Sequence, residues 1–253
     1  MHSLFNSREV EPAAVEDPAR PIFPKVEGGD LAAVYASKRV AGDFYDSLRV
    51  SPQRILFCLL DAAGRREDNR ALILLAQQIF RASGEELFGA PDINESNAMT
   101  ELSLRLNRGL IDHSKGVHPC PAFVACYHEQ FGTLCYSNAG HTPGILRDAT
   151  GITELASTGL PLGLFSHATG DAPTIGIEPG AALLLVSRGV IEHGSQNDKA
   201  AEEFGMNRVR ELLQTATGDA KAICVSILDG VAKFSQESRA PEDRSALAFV
   251  RAA

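Results

Sequence analysis

Residues 54–60 run Arg-Ile-Leu-Phe-Cys-Leu-Leu, six apolar residues without a polar interruption. A strand with one wet face alternates apolar and polar side chains, because successive side chains point to opposite sides. An unbroken apolar run therefore predicts a strand covered on both faces. The apolar stretch Leu183-Leu184-Leu185-Val186 reads as another core strand. A chain of 253 residues is long enough to bury such strands in a sizeable core.

The rest of the pattern supplies the other layers. Short strands are predicted at 31–35 and 47–50, with a turn at Ala41-Gly42-Asp43 between them. Run 54–60 ends in the turn-like Asp61-Ala62-Ala63-Gly64. Helical spacing follows at 69–82 (Leu72, Leu75, Ala76, Ile79) and at 97–112 (Met99, Leu102, Leu106, Leu110). A hairpin is predicted from 122–128 and 133–137, then strands at 144–147, 152–155, 174–177 and 182–187. Helices at 206–215 and 220–235 and a last strand at 245–250 complete the chain. Many antiparallel strands with helices arriving in pairs predict an α+β sandwich rather than a doubly wound parallel sheet. Residues 1–24, acidic, Pro-containing and without periodicity, read as a disordered tail or arm, and 25–253 as a single domain.

Composition excludes several function classes. A net charge of −8 argues against a nucleic-acid binder, which would show a basic face. No apolar run approaches the roughly 20 residues needed to span a bilayer. The five cysteines (Cys58, Cys120, Cys126, Cys135, Cys224) lack zinc-ligand spacing, so they read as reduced core thiols of a soluble cytoplasmic protein.

Carboxylates at strand ends or turns are the chemical candidates: Asp43, Asp61 and Glu242-Asp243. Carboxylates converging from separate strand ends suit Mg²⁺ or Mn²⁺, and a pair of such ions can clamp a phosphate and activate water. On spacing alone, Asp43 and Asp61 serve equally well as turn or N-cap residues.

Six segments, in order, carry a resemblance. Ala41-Gly42-Asp43-Phe44-Tyr45-Asp46, Leu60-Asp61-Ala62-Ala63-Gly64 and Asn138-Ala139-Gly140-His141-Thr142-Pro143 are the first three. Leu160-Pro161-Leu162-Gly163, Glu203-Phe204-Gly205 with Arg208, and Glu242-Asp243-Arg244-Ser245 follow. Together they resemble the SpoIIE-like branch of the PPM (type 2C) metal-dependent serine/threonine protein phosphatases, over about residues 26–251. The resemblance implies a two-sheet, mostly antiparallel β-sandwich flanked by helix pairs, with a binuclear Mn²⁺ or Mg²⁺ centre at one end. It implies hydrolysis of phosphoserine or phosphothreonine by metal-activated water. Bacterial members of the branch often act on phosphorylated antagonists of anti-sigma factors. Carried over by position, Asp61 would bridge the metals, the Ala62 carbonyl would bind one, Asp43 would act directly or through water, and Glu242 would supply the last carboxylate.

Four departures cluster on that centre. Arg188 stands in Ser187-Arg188-Gly189 where the family has Thr-Asp-Gly, so a ligand aspartate is replaced by a cation. Glu242 is one methylene longer than the aspartate it replaces, Arg66 replaces a glycine, and Ala122 replaces a threonine. A guanidinium about 4 Å from a divalent ion is repelled by roughly 8 kcal/mol at an effective dielectric near 20. One metal at most is therefore expected. Arg188 is either a solvated strand-end residue or a surrogate cation among Asp61, Glu242 and Asp43. Arg65 and Arg66 are weak candidates for holding a phosphate. His141 reads as structural in its turn, and His113, His118 and His128 as surface residues.

The resulting expectation is a pseudophosphatase or weakly active domain that works by binding a partner protein, such as an anti-sigma-factor antagonist. The alternative is an active Mn²⁺- or Mg²⁺-dependent phosphoserine/phosphothreonine phosphatase.

Overall fold

A computed structural model describes residues 21–36, 41–114, 118–166, 170–192, 203–234 and 243–253. The strands are β1 (Gly29–Ala36), β2 (Ala41–Ser51), β3 (Arg54–Arg65), β4 (Ala122–His128), β5 (Thr133–Ala139), β6 (Gly144–Asp148), β7 (Gly151–Leu155), β8 (Thr174–Gly176), β9 (Ala182–Val186) and β10 (Arg244–Arg251). The helices are α1 (Arg66–Phe88), α2 (Glu95–His113), α3 (Arg188–Ile191), α4 (Gly205–Thr215) and α5 (Ala220–Phe234). Strands β1-β10-β9-β6-β7 form one sheet and β2-β3-β4-β5-β8 the other. Every pairing between them is antiparallel.

Strand alternation explains the four layers. On β3, Leu56, Cys58 and Leu60 pack toward α1 and α2, while Ile55, Phe57 and Leu59 pack toward the other sheet. On β9, Leu183 and Leu185 face the centre, and Ala182, Leu184 and Val186 face α4 and α5. Both apolar runs are thus covered on both faces, and the layer order is helices, sheet, sheet, helices. The predicted stripe Met99, Leu102, Leu106 and Leu110 is buried on α2. The Asn94 side chain caps that helix by accepting from the Asn97 amide at 2.9 Å. All five cysteines are free and buried. Among the described residues, no helix is long and apolar enough to cross a membrane.

Several local expectations are corrected. The turn at Ala41-Gly42-Asp43 does not exist; those residues open β2. Gly42 is needed for close strand approach, since a Cβ there would lie 1.6 Å from the Ala62 carbonyl oxygen. Strand β3 continues through Asp61 to Arg65 instead of ending in a turn. Helix α1 runs past Ser83-Gly84, and a Cβ at Gly84 would lie 2.7 Å from Leu56 Cδ1, so the glycine lets the helix pack closely on β3. Ser187, one residue past the end of β9, is the N-cap residue of the short helix α3, which periodicity could not show in four residues. His128 is buried, not on the surface: its ring stacks on Phe131 at 4.3 Å across the β4–β5 turn. His113 and His118 are exposed. Phe23, in the stretch read as tail, stacks on Tyr45, and residues 1–20 lie outside the described ones.

An ion pair with a buried carboxylate and an exposed cation ties α1 to β2. Asp46 is fully buried and accepts two 2.7 Å bonds from the Arg81 guanidinium, plus the Ser47 amide at 2.8 Å. Removing the cation strands a buried carboxylate, whereas Arg81 itself is 44% exposed and could return to water. Arg81→Met is expected to lower unfolding free energy by about 2–3 kcal/mol in urea titrations, with Asp46→Asn/Arg81→Met recovering part of it. Equal stability of wild type and Arg81→Met would contradict this.

Candidate functional site

Alternation also assembles the site. Tyr45 on β2 and Phe57 and Leu59 on β3 face the centre of the sandwich, so Asp43 and Asp61 face it too. The two aspartates are direct register partners at the end of the hairpin. From the opposite sheet, Ser187 and Ser245 extend the central rows of β9 and β10. The Ser187 amide donates to the Ser245 carbonyl at 2.9 Å, and the Ser245 amide donates to the Ser187 hydroxyl at 3.0 Å. Two carboxylates from one sheet therefore meet two hydroxyls from the other at one end of the molecule.

Burial governs Asp43. Its Oδ2 is inaccessible and has no hydrogen-bond partner among the described residues. Desolvation, then the charge of Asp61, pushes its pKa from 3.8 to about 7, against the lowering effect of the Ser187 and Ser245 hydroxyls. Asp243 adds to the upward push, and accepts a 2.5 Å bond from the Tyr35 hydroxyl.

Asp61 is held from two sides. Its amide donates to the Pro121 carbonyl at 2.8 Å, and its Oδ2 accepts the backbone amide of Arg188 at 3.1 Å. The Arg188 Nε lies 3.8 Å from the same oxygen and 3.7 Å from Glu192 Oε2. Arg188 thus sits against Asp61 instead of swinging away, although its side chain remains 47% exposed. An ion pair so exposed contributes at most about 1 kcal/mol, so the backbone hydrogen bond does most of the fixing.

The next oxygen along the strand is also engaged. Asn69 on α1 donates its side-chain amide to the Ala62 carbonyl at 3.4 Å, in a buried setting. His141 is buried in the turn after β5, where its amide donates to Asn138 Oδ1 at 2.8 Å. Asn138 also reaches the Thr142 and Leu155 carbonyls, so the turn is a wired structural unit. Burial lowers the His141 pKa, while the charge of Asp61 acts in the opposite sense. His141 Nε2 has no hydrogen-bond partner among the described residues.

The structure thus brings together Asp43, Asp61, Ala62 and Arg188 of the predicted set. Glu242 lies outside the described residues, and nothing is described of the Arg65 and Arg66 side chains. Ser187, Ser245 and Asn69 were not singled out; the first two could have been found by extending strand alternation one step. Among the described residues, which do not include Glu242, the donors fit a two-metal centre poorly. No group of three or more His, Cys, Asp or Glu side chains is placed to hold a metal among the described residues. Of the positions that the resemblance assigns to metal, Asp61 Oδ2 and the Ala62 carbonyl accept protein donors.

Comparison with known proteins now decides the family. The family model for Stage II sporulation protein E (SpoIIE) matches residues 51–252. The chain belongs to the SpoIIE family. This SpoIIE domain is 26% identical over 226 residues to Protein IcfG of Synechocystis sp., covering 81% of this chain and 35% of IcfG. It is 22% identical over 158 residues to the phosphoserine phosphatase RsbP of Bacillus subtilis, covering 62% of this chain and 38% of RsbP. The chain thus spans little more than a third of these relatives. Among solved structures, the RsbU and RsbW domains of Rv1364c from Mycobacterium tuberculosis superpose with a TM-score of 0.71 at 22% identity. That match covers 91% of this chain and 63% of the other, and the shared fold is that of the PPM phosphatases.

The raised pKa of Asp43 has a measurable consequence. A folded-state value above the unfolded 3.8 means that the folded domain takes up the extra proton. Stability carried by this group is present below about pH 4 and is lost as pH rises through about 7. In chelator, the unfolding free energy of wild type is expected to decline across that window relative to Asp43→Asn, by up to about 4 kcal/mol. Parallel pH profiles for the two proteins would contradict it.

Proposed function

We propose that this SpoIIE domain acts in bacterial phosphosignalling mainly by binding a partner protein, with little or no metal-dependent hydrolysis of its own. The observation that carries the proposal is the contact of Arg188 with Asp61 Oδ2, at the position where the phosphatase resemblance requires a ligand aspartate. The Arg188 cation, 47% exposed and 3.8 Å from Asp61 Oδ2, opposes a divalent ion instead of binding it. The sandwich around the site is intact, so a surface that recognises a phosphatase substrate can survive loss of the chemistry. The phosphoserine phosphatase RsbP among its relatives, and the RsbU and RsbW domains of Rv1364c among structures of the same fold, support a partner of one class. That class is a protein phosphorylated on serine or threonine, such as an antagonist of an anti-sigma factor.

One observation favours an active enzyme as the second reading. Asp43 and Asp61 still face each other, and Asp43 Oδ2 has no partner among the described residues. A carboxylate pair with a spare oxygen can hold one Mn²⁺ or Mg²⁺ together with waters, and Glu242 would be the natural third ligand.

Hydrolysis of a generic aryl phosphate separates the two readings. With Mn²⁺, the wild-type chain is expected to turn over at least about tenfold more slowly than Arg188→Asp, a difference of about 1.4 kcal/mol in barrier. Wild type should still bind its phosphorylatable partner in a pull-down. Robust wild-type turnover abolished by chelator would instead establish the active enzyme.

A further inference from the structure

At the positions that the phosphatase resemblance assigns to metal, one carboxylate oxygen of Asp61 and the Ala62 carbonyl each accept a donor from the chain itself. On the outer side, Asp61 Oδ2 receives the Arg188 amide at 3.1 Å, with the guanidinium Nε at 3.8 Å. On the inner side, the Ala62 carbonyl receives the Asn69 side-chain amide at 3.4 Å. That carbonyl is also packed against Gly42, where a Cβ would lie 1.6 Å from its oxygen. Asn69 is 3% exposed, so its amide meets the carbonyl from within the protein. The carbonyl oxygen is therefore directed into the β2–α1 packing and not into open space. A buried carbonyl without a donor would carry a desolvation cost, which an amide relieves as a metal otherwise would.

We propose that Asn69 and Arg188 together replace the metals as structural cross-links, making this domain ordered and stable without divalent cations. Asn69 is the positioning residue: it holds the Ala62 carbonyl, and with it the β3–α1 junction next to Asp61. Arg188 does the same for Asp61 through its charge, set beside a backbone amide that any residue at 188 supplies. The inference rests on Asp61 and Ala62 marking the family's metal position, but it does not depend on any partner or on any residual hydrolysis.

Thermal melting of the full chain, with chelator, millimolar MgCl₂ or millimolar MnCl₂, tests it alongside equilibrium dialysis of Mn²⁺. Wild type is expected to melt at the same temperature in all three buffers and to retain no Mn²⁺ above the buffer level. The double variant Asn69→Ala/Arg188→Asp frees the carbonyl and restores a carboxylate. It should melt lower in chelator and regain about 5 °C in MnCl₂, with bound Mn²⁺ detected by dialysis. A wild-type melting point raised by MnCl₂, or Mn²⁺ retained by wild type, overturns the proposal. So does a double variant that folds by circular dichroism and ignores Mn²⁺. If the double variant does not fold, Arg188→Asp alone carries the same reading, with Mn²⁺ uptake supporting the proposal and its absence overturning it. Failure of the partner pull-down would remove the function proposed above and leave these readouts unchanged.

Discussion

Two carboxylates placed opposite each other on neighbouring strands repel, and the end of this sandwich is built around such a pair. Asp43 and Asp61 are register partners on the face between the sheets. Unscreened like charges about 5 Å apart oppose each other by roughly 3 kcal/mol at an effective dielectric near 20. A protein can resolve the conflict with a cation or with a proton, and this chain uses both. Arg188 is set against Asp61, and burial with the neighbouring charge holds the Asp43 carboxyl near a pKa of about 7.

The scaffold is indifferent to that choice. Three apolar cores, one between the sheets and one beneath each helix pair, hold the layers together and reach the charged end only at residues such as Ala62, Val186 and Val190. They are built from residues such as Phe57, Met99, Leu184 and Val231, none of which touches the question of catalysis. Residues at the sandwich end can therefore change while the layers stay, and similarity of fold to phosphatases says little about turnover.

Legibility of the sequence followed the same division. The strands at 54–60 and 182–187 and the α2 stripe were readable because burial on both faces, or on one helical face, writes directly into residue type. Asp43 and Asp61 were readable as candidates only with the motif around them, since an aspartate at a strand end has several uses. Gly42 was misread as a turn because a glycine required by close backbone approach looks the same in sequence as one required by a turn. His128 was misread because the hairpin tip, through Phe131, folds over it. Asn69 was invisible: a single asparagine in a helix carries no sign that it reaches seven residues back to a carbonyl. The two readings of Arg188, solvent or carboxylate, do not separate cleanly, since its side chain is 47% exposed and still has Nε 3.8 Å from Asp61 Oδ2.

The central claim is that Arg188 holds Asp61 in the place where related phosphatases would use a metal. Crystals of the protein grown with Mn²⁺ and measured at the manganese absorption edge test it most directly. No anomalous peak at the Asp61 carboxylate, with the Arg188 amide still bonded to Oδ2, is the predicted result. A manganese peak within coordination distance of Asp61, with Arg188 displaced toward solvent, would contradict it.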